Sequence, residues 1–72
     1  MFPVKILYED EAILVAFKSA GLPMHANLDY ERINFVGLLQ ETLAKRDGRP
    51  GYLGIHQRLD LGTSGLVIFT RC

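Results

Sequence analysis

Ala12-Ile13-Leu14-Val15-Ala16-Phe17 is apolar at every position and carries β-branched residues at its centre. A stretch of that length and type predicts a buried strand that needs cover on both faces. Before it, Glu9-Asp10-Glu11 makes a polar break of hairpin-loop length. Val4-Lys5-Ile6-Leu7-Tyr8 precedes the break and reads as a partner strand with Val4, Ile6 and Tyr8 on one face. After it, Lys18-Ser19-Ala20-Gly21-Leu22-Pro23 ends the strand, with Gly21 and Pro23 as turn punctuation. Lys18, at the strand's end, is expected to reach solvent.

Further along, residues 24–30 read as a loop, with Asp29 as the predicted helix N-cap. From there to Arg46, the residues Ile33, Val36, Leu39 and Leu43 trace one helical stripe. Lys45 and Arg46 suit the negative end of the helix dipole, and Gly48 follows as a stop. Asp47-Gly48-Arg49-Pro50-Gly51 is a loop, and strands are predicted over Tyr52–His56 and Gly65–Thr70. The order strand, strand, helix, strand, strand gives an α+β chain of mixed or antiparallel strands with one covering helix. Ala12–Phe17 and Leu66–Phe69 both read as two-sided, yet one helix covers one face. One face of the sheet is therefore expected to be bare, as in an incomplete portion of a larger domain.

Seventy-two residues make at most one domain. A chain of this size buries only about 60% of the surface that its unfolded form exposes. The single cysteine, Cys72, offers no disulfide, which fits a reducing, cytoplasmic setting. No stretch approaches the roughly 18 apolar residues of a membrane span, and the first residues lack the pattern of a secretory signal. Net charge is zero, but residues 1–31 carry −3 and residues 32–72 carry +3. A basic second half can face phosphates, although a solvated surface accounts for it as well.

The chemistry-bearing run is Gln57-Arg58-Leu59-Asp60-Leu61-Gly62-Thr63-Ser64-Gly65. In an extended segment Arg58 and Asp60 lie on one side, where an ion pair would keep the carboxylate ionised. An ionised aspartate in a pocket serves as nucleophile or general base. On the residues alone a turn is the simpler reading, with the Asp60 side chain accepting from the Gly62 N–H. Thr63 and Ser64 lack the Gly-x-Ser-x-Gly spacing of a hydrolase elbow, so their hydroxyls are expected to bond the loop backbone. Gly65 is expected to supply backbone freedom or a close approach where the strand begins. His25 and His56 are 31 residues apart without Cys or acidic partners at metal spacing, so no metal site is expected. His56 is read as a hydrogen-bonded structural residue. No Gly-rich phosphate loop occurs, so no nucleotide or other cofactor is expected.

Two blocks of this sequence carry a family resemblance. Ile6 to His25, with Tyr8-Glu9-Asp10, the apolar strand and Lys18-Ser19-Ala20-Gly21-Leu22, resembles the start of the catalytic domain of RluA-type RNA pseudouridine synthases. Arg58-Leu59-Asp60-Leu61-Gly62-Thr63-Ser64-Gly65 resembles that family's His-Arg-Leu-Asp-x-x-Thr-Ser-Gly motif. Phe17 and Ser19 depart from the family's Asn and Pro around Lys18, and Gln57 separates His56 from Arg58. The resemblance implies an isomerase that converts uridine to pseudouridine in rRNA or tRNA, with Asp60 catalytic. It implies that Arg58 holds RNA around a flipped base while Thr63, Ser64 and Gly65 shape the loop. The family's later active-site tyrosine, the basic partner of its aspartate and its Gln-Ile-Arg-like segment have no counterpart in residues 1–72. Residues 1–72 are thus expected to be a partial catalytic domain, inactive by itself because Asp60 lacks that partner. The alternative is a non-catalytic RNA-binding or protein-interaction module of α+β class.

Overall fold

The computed structural model describes residues 4–24, 33–49, 51–60 and 62–72. It contains strands β1 (Lys5–Glu9) and β2 (Ile13–Lys18), helix α1 (Phe35–Asp47), and strands β3 (Gly54–Ile55) and β4 (Gly65–Thr70). The four strands form one sheet in the order β1-β2-β4-β3, and every neighbouring pair is antiparallel. The fold is α+β, with one helix against an antiparallel sheet.

Asp10 makes the first hairpin. Its Oδ1 accepts from the backbone N–H groups of Ala12 and Ile13 at 2.7 and 2.8 Å, while its own N–H donates to the Ile13 carbonyl at 2.9 Å. This is an Asx-type closure, in which a side chain stands in for a backbone acceptor. The Tyr8 hydroxyl donates to the other carboxylate oxygen at 2.7 Å. These bonds hold the Asp10 carboxyl below its ordinary range, the Tyr8 bond most strongly. A bulge between Ile6 and Tyr8 shifts the register, so that Ile6 opposes Ala16 and Tyr8 opposes Val15.

On β2 the inward positions are Leu14, Ala16 and Lys18, and on β4 they are Val67 and Phe69. Leu14 lies opposite Phe69, Ala16 opposite Val67, and Lys18 opposite Gly65. Helix α1 lays Phe35, Leu39 and Leu43 on this face, and Phe35 meets Phe69 with ring centroids 5.9 Å apart. Leu22, Met24 and Leu53 complete the core. On the other face stand Ile13, Val15 and Phe17, half-buried, and Leu66 and Ile68, exposed. The expected bare face is there.

The helix departs from expectation at its start. Residues 33 and 34 are not helical, and Asn34 is the N-cap, its Oδ1 accepting from the Gly37 N–H at 2.8 Å. The N–H groups of Phe35 and Val36 donate to the carbonyls of Pro23 and Met24 at 2.8 and 2.9 Å. Three of the first-turn donors that a helix leaves unpaired are satisfied in this way. Asp29, the expected cap, lies outside the described residues. The buried stripe is Phe35, Leu39 and Leu43, with Val36 half-buried; Ile33 precedes the helix and is exposed. At the other end Gly48 is the left-handed cap at φ 83°, its N–H donating to the Ala44 carbonyl at 2.8 Å. The strand expected over Tyr52–His56 pairs only at Gly54 and Ile55.

Candidate active site

The Arg58–Gly65 run connects β3 to β4 at the end of the sheet where β2 finishes. Two side chains before Asp60 fasten it to the strands. The His56 Nε2 lies 3.0 Å from the Thr70 hydroxyl, and the Gln57 Oε1 accepts from the Ile68 N–H at 3.3 Å. His56 is thus the hydrogen-bonded structural residue that was expected. Gln57, which interrupts the family motif, lends its side chain to the edge of β4. Leu59 is half-buried against the core. Beyond it the Thr63 N–H donates to the Asp60 carbonyl at 2.9 Å, closing a turn with Asp60 at its first position. The turn is closed main chain to main chain, not by the carboxylate. Asp60 itself is exposed.

Beneath this turn lies Lys18, whose side chain is 0% exposed. Its Nζ donates to the Thr63 carbonyl at 2.7 Å and to the Ser19 carbonyl at 3.0 Å. The sequence predicted a solvated lysine, and the structure corrects that: Lys18 continues the inward row of Leu14 and Ala16, so alternation carries it into the interior. Burial pushes its ammonium below its ordinary value, and the charge of Asp60 works against that shift.

Arg58, Thr63 and Ser64 are exposed around the turn. The ion pairs of the described residues are Lys45–Glu41, Arg46–Glu9, Arg46–Asp47 and Arg71–Glu9, and a pair between Arg58 and Asp60 is not among them. The Thr63 and Ser64 hydroxyls, expected to bond the loop backbone, form no hydrogen bond with a described residue; it is the Thr63 carbonyl that is engaged. Gly65 begins β4 at φ 158°, and a Cβ there would stand 3.4 Å from the Leu59 Cδ1. Leu61 lies outside the described residues, as does His25.

At the opposite end of β2 and β4 the charges gather differently. Glu9 accepts a bidentate bond from Arg46 at 2.6 and 2.9 Å, and a third bond from Arg71 at 2.6 Å. Arg46 also donates to Asp47 at 2.8 and 2.9 Å. Two basic groups of the second half, Arg46 and Arg71, thus bind one acidic group of the first, Glu9. Asp47, Arg49, Gly51, Tyr52 and Arg71 line an open cavity of about 500 Å³ beside this cluster. Among the described residues no group of three or more His, Cys, Asp or Glu side chains gathers as a metal site. No described helix is long and apolar enough to cross a membrane.

No protein-family model matches the chain, and no solved structure matches it. Curated relatives do. It is 36% identical over 74 residues to ribosomal large subunit pseudouridine synthase D of Zymomonas mobilis. To the proteins of the same name from Xylella fastidiosa and Xanthomonas campestris it is 38% and 36% identical over 72 residues. Each alignment covers 96% of this chain, and 20 to 23% of the relative. The chain is thus similar along nearly all of its length to about a fifth of proteins named pseudouridine synthases.

Proposed function

We propose that this chain is the first part of the catalytic domain of an RluA-type RNA pseudouridine synthase, and that Asp60 is its catalytic carboxylate. One observation carries the reading: the alignments to three named pseudouridine synthases span 96% of the chain, so they take in the Asp60 turn. The turn's geometry supports it, because an exposed carboxylate sits on a loop tied down from below by Lys18 and from the side by Gln57 and His56. Loops held by a rigid scaffold are where reactive side chains are commonly placed.

The reaction breaks the N1–C1′ bond of uridine and forms a C5–C1′ bond. The hydrogen at C5 leaves, and N1 gains a proton. An ionised aspartate at the reacting nucleotide serves as nucleophile or base in that exchange. Arg58, exposed beside Asp60, would face the phosphates of a nucleotide turned out of its stack. Thr63, Ser64 and Gly65 give the loop its shape. The substrate is RNA, with ribosomal RNA favoured by the names of the relatives.

The sheet's uncovered apolar face fits a chain that is part of a larger domain, residues 1–72 being a partial one. The isolated chain is accordingly expected to bind RNA weakly and to isomerise no uridine, while a protein extended by its natural downstream sequence does. The test compares the two on ribosomal RNA. An extended protein that is equally inactive defeats the enzymatic reading. Salt-dependent RNA binding that persists in that inactive protein points to the non-catalytic RNA-binding module, and partner binding without RNA affinity to an interaction domain.

A further inference from the structure

The open cavity at the far end of the sheet joins three groups that the Asp60 turn does not use: Arg49, Arg71 and Tyr52. Three guanidiniums and two carboxylates meet around it, those of Arg46, Arg49, Arg71, Glu9 and Asp47, which leaves one positive charge over. That charge falls to Arg49, which is exposed and forms no ion pair among the described residues. Asp47 also lines the cavity, but both of its oxygens accept from Arg46, so its repulsion of an anion is blunted. Arg71 brings donors rather than net charge. Its Nη1 donates to Glu9 at 2.6 Å and its main-chain N–H to the Ala12 carbonyl at 2.8 Å, so the guanidinium is held in place. Its Nε is buried without a hydrogen-bond partner among the described residues, so Glu9 satisfies the group only in part. Its Nη2 borders Gly51, where a Cβ would stand 3.1 Å away, and Gly51 at φ 71° keeps that space clear.

Tyr52 decides what kind of anion the cavity suits. It is 59% exposed, and its ring rests on Gly54, where a Cβ would stand 3.2 Å from the Tyr52 Cε2. A small anion would need only the guanidiniums. Cations beside an exposed aromatic ring are how proteins hold a nucleic-acid strand without reading its sequence, the base stacking while the phosphate is paired. We propose that this cavity is a second RNA contact, with a backbone phosphate on Arg49 and the Arg71 Nη2 and a neighbouring base stacked on Tyr52. The proposal rests on the reading of the chain as one that binds RNA, and not on Asp60 being catalytic. About 20 Å of β4 separates the cavity from the Asp60 turn. The contact is therefore with a part of the strand remote from the nucleotide held at that turn.

The experiment titrates a uridine hexanucleotide, and separately inorganic phosphate, into the chain at low salt while the arginine Nε–H resonances are followed. The hexanucleotide is expected to shift those of Arg49 and Arg71. Arg49→Gln is expected to reduce the slope of log affinity against log salt by about 0.7. Tyr52→Ala is expected to weaken binding at least about fivefold. Both side chains are exposed, so each variant keeps the fold, which its amide spectrum verifies. Hexanucleotide binding that is unchanged in either folded variant overturns the proposal and leaves the RNA reading in place. Phosphate that shifts the two arginine signals when the hexanucleotide does not marks a plain anion site, and overturns it as well. A chain that binds neither probe also overturns it. An extended protein that binds RNA through Arg49 and Tyr52 yet isomerises no uridine defeats the synthase reading alone.

Discussion

Gly54 shows how a single residue fixes the short edge strand that leads into the Asp60 loop. It lies opposite Thr70, and a Cβ at Gly54 would collide with the Thr70 Oγ1 and approach the Tyr52 hydroxyl at 2.9 Å. The same Thr70 hydroxyl is held by His56. Gly54→Ala is expected to push β3 off β4 and cost about 1–3 kcal/mol. Urea unfolding of the two proteins measures it, and a difference under about 0.5 kcal/mol would contradict the packing described. Residue by residue, the sequence was informative where backbone chemistry is local. Gly48 reads as a helix stop because a left-handed residue there needs no side chain. Lys18 was not legible, since a lysine that ends a strand looks the same whether its amine reaches water or a buried carbonyl. Asn34 was missed because Asp29 is an equally good cap by type. Only the Pro23 and Met24 carbonyls, which meet the first helical N–H groups, fix where the helix starts.

The elements are joined at the far end of the sheet by Glu9, which ties β1 to the end of α1 through Arg46 and to the end of β4 through Arg71. The bidentate Arg46 bond is the main reason that the Glu9 carboxyl titrates below its ordinary value; burial opposes it, and the charges of Arg46 and Arg71 add to it. A carboxyl with a lowered folded pKa binds its proton less readily when folded. Its contribution is complete above the unfolded pKa and disappears as pH falls through the folded one. Melting temperature is therefore expected to drop as pH falls below about 4.5. Glu9→Gln should be less stable than the parent at neutral pH by about 1 kcal/mol and converge with it in acid. Asp10 and Asp47 are shifted the same way, so the variant keeps part of the acid sensitivity. A parent and a variant with parallel pH curves would contradict the clamp. The same contacts take Arg46 and Arg71 out of the basic groups of the second half that stand open, because Glu9 binds both. Pairing between remote residues is what a linear charge count lacks. The strands fared better: β2 was legible from the unbroken apolar run around Leu14, and β4 from Leu66 to Phe69. β3 shrank to two residues because only Gly54 and Ile55 find partners on β4.

Taken together, the described residues form a sheet covered on one side by α1. Tyr8, Leu66 and Ile68 are 52%, 53% and 46% exposed on the open side, beside half-buried Val15 and Phe17. An uncovered apolar face of this kind binds hydrophobic dyes and drives association. The chain is expected to enhance the fluorescence of such a dye under native conditions, and Leu66→Lys with Ile68→Lys to abolish most of that signal while the melt is retained. Dye binding that is unaffected by the two substitutions would place the open surface elsewhere. This face was legible in advance, from two two-sided strands and one helix. The Asp60 turn was legible as a motif, whereas its support by a buried lysine was visible only in three dimensions. Whether that turn performs chemistry is decided most directly by tritium release. RNA carrying tritium at uridine C5 loses it to water when the C5–C1′ bond forms. The extended protein is expected to release tritium in proportion to the uridine modified, and its Asp60→Asn variant to release none above background. Release by Asp60→Asn at the parental rate would contradict the account.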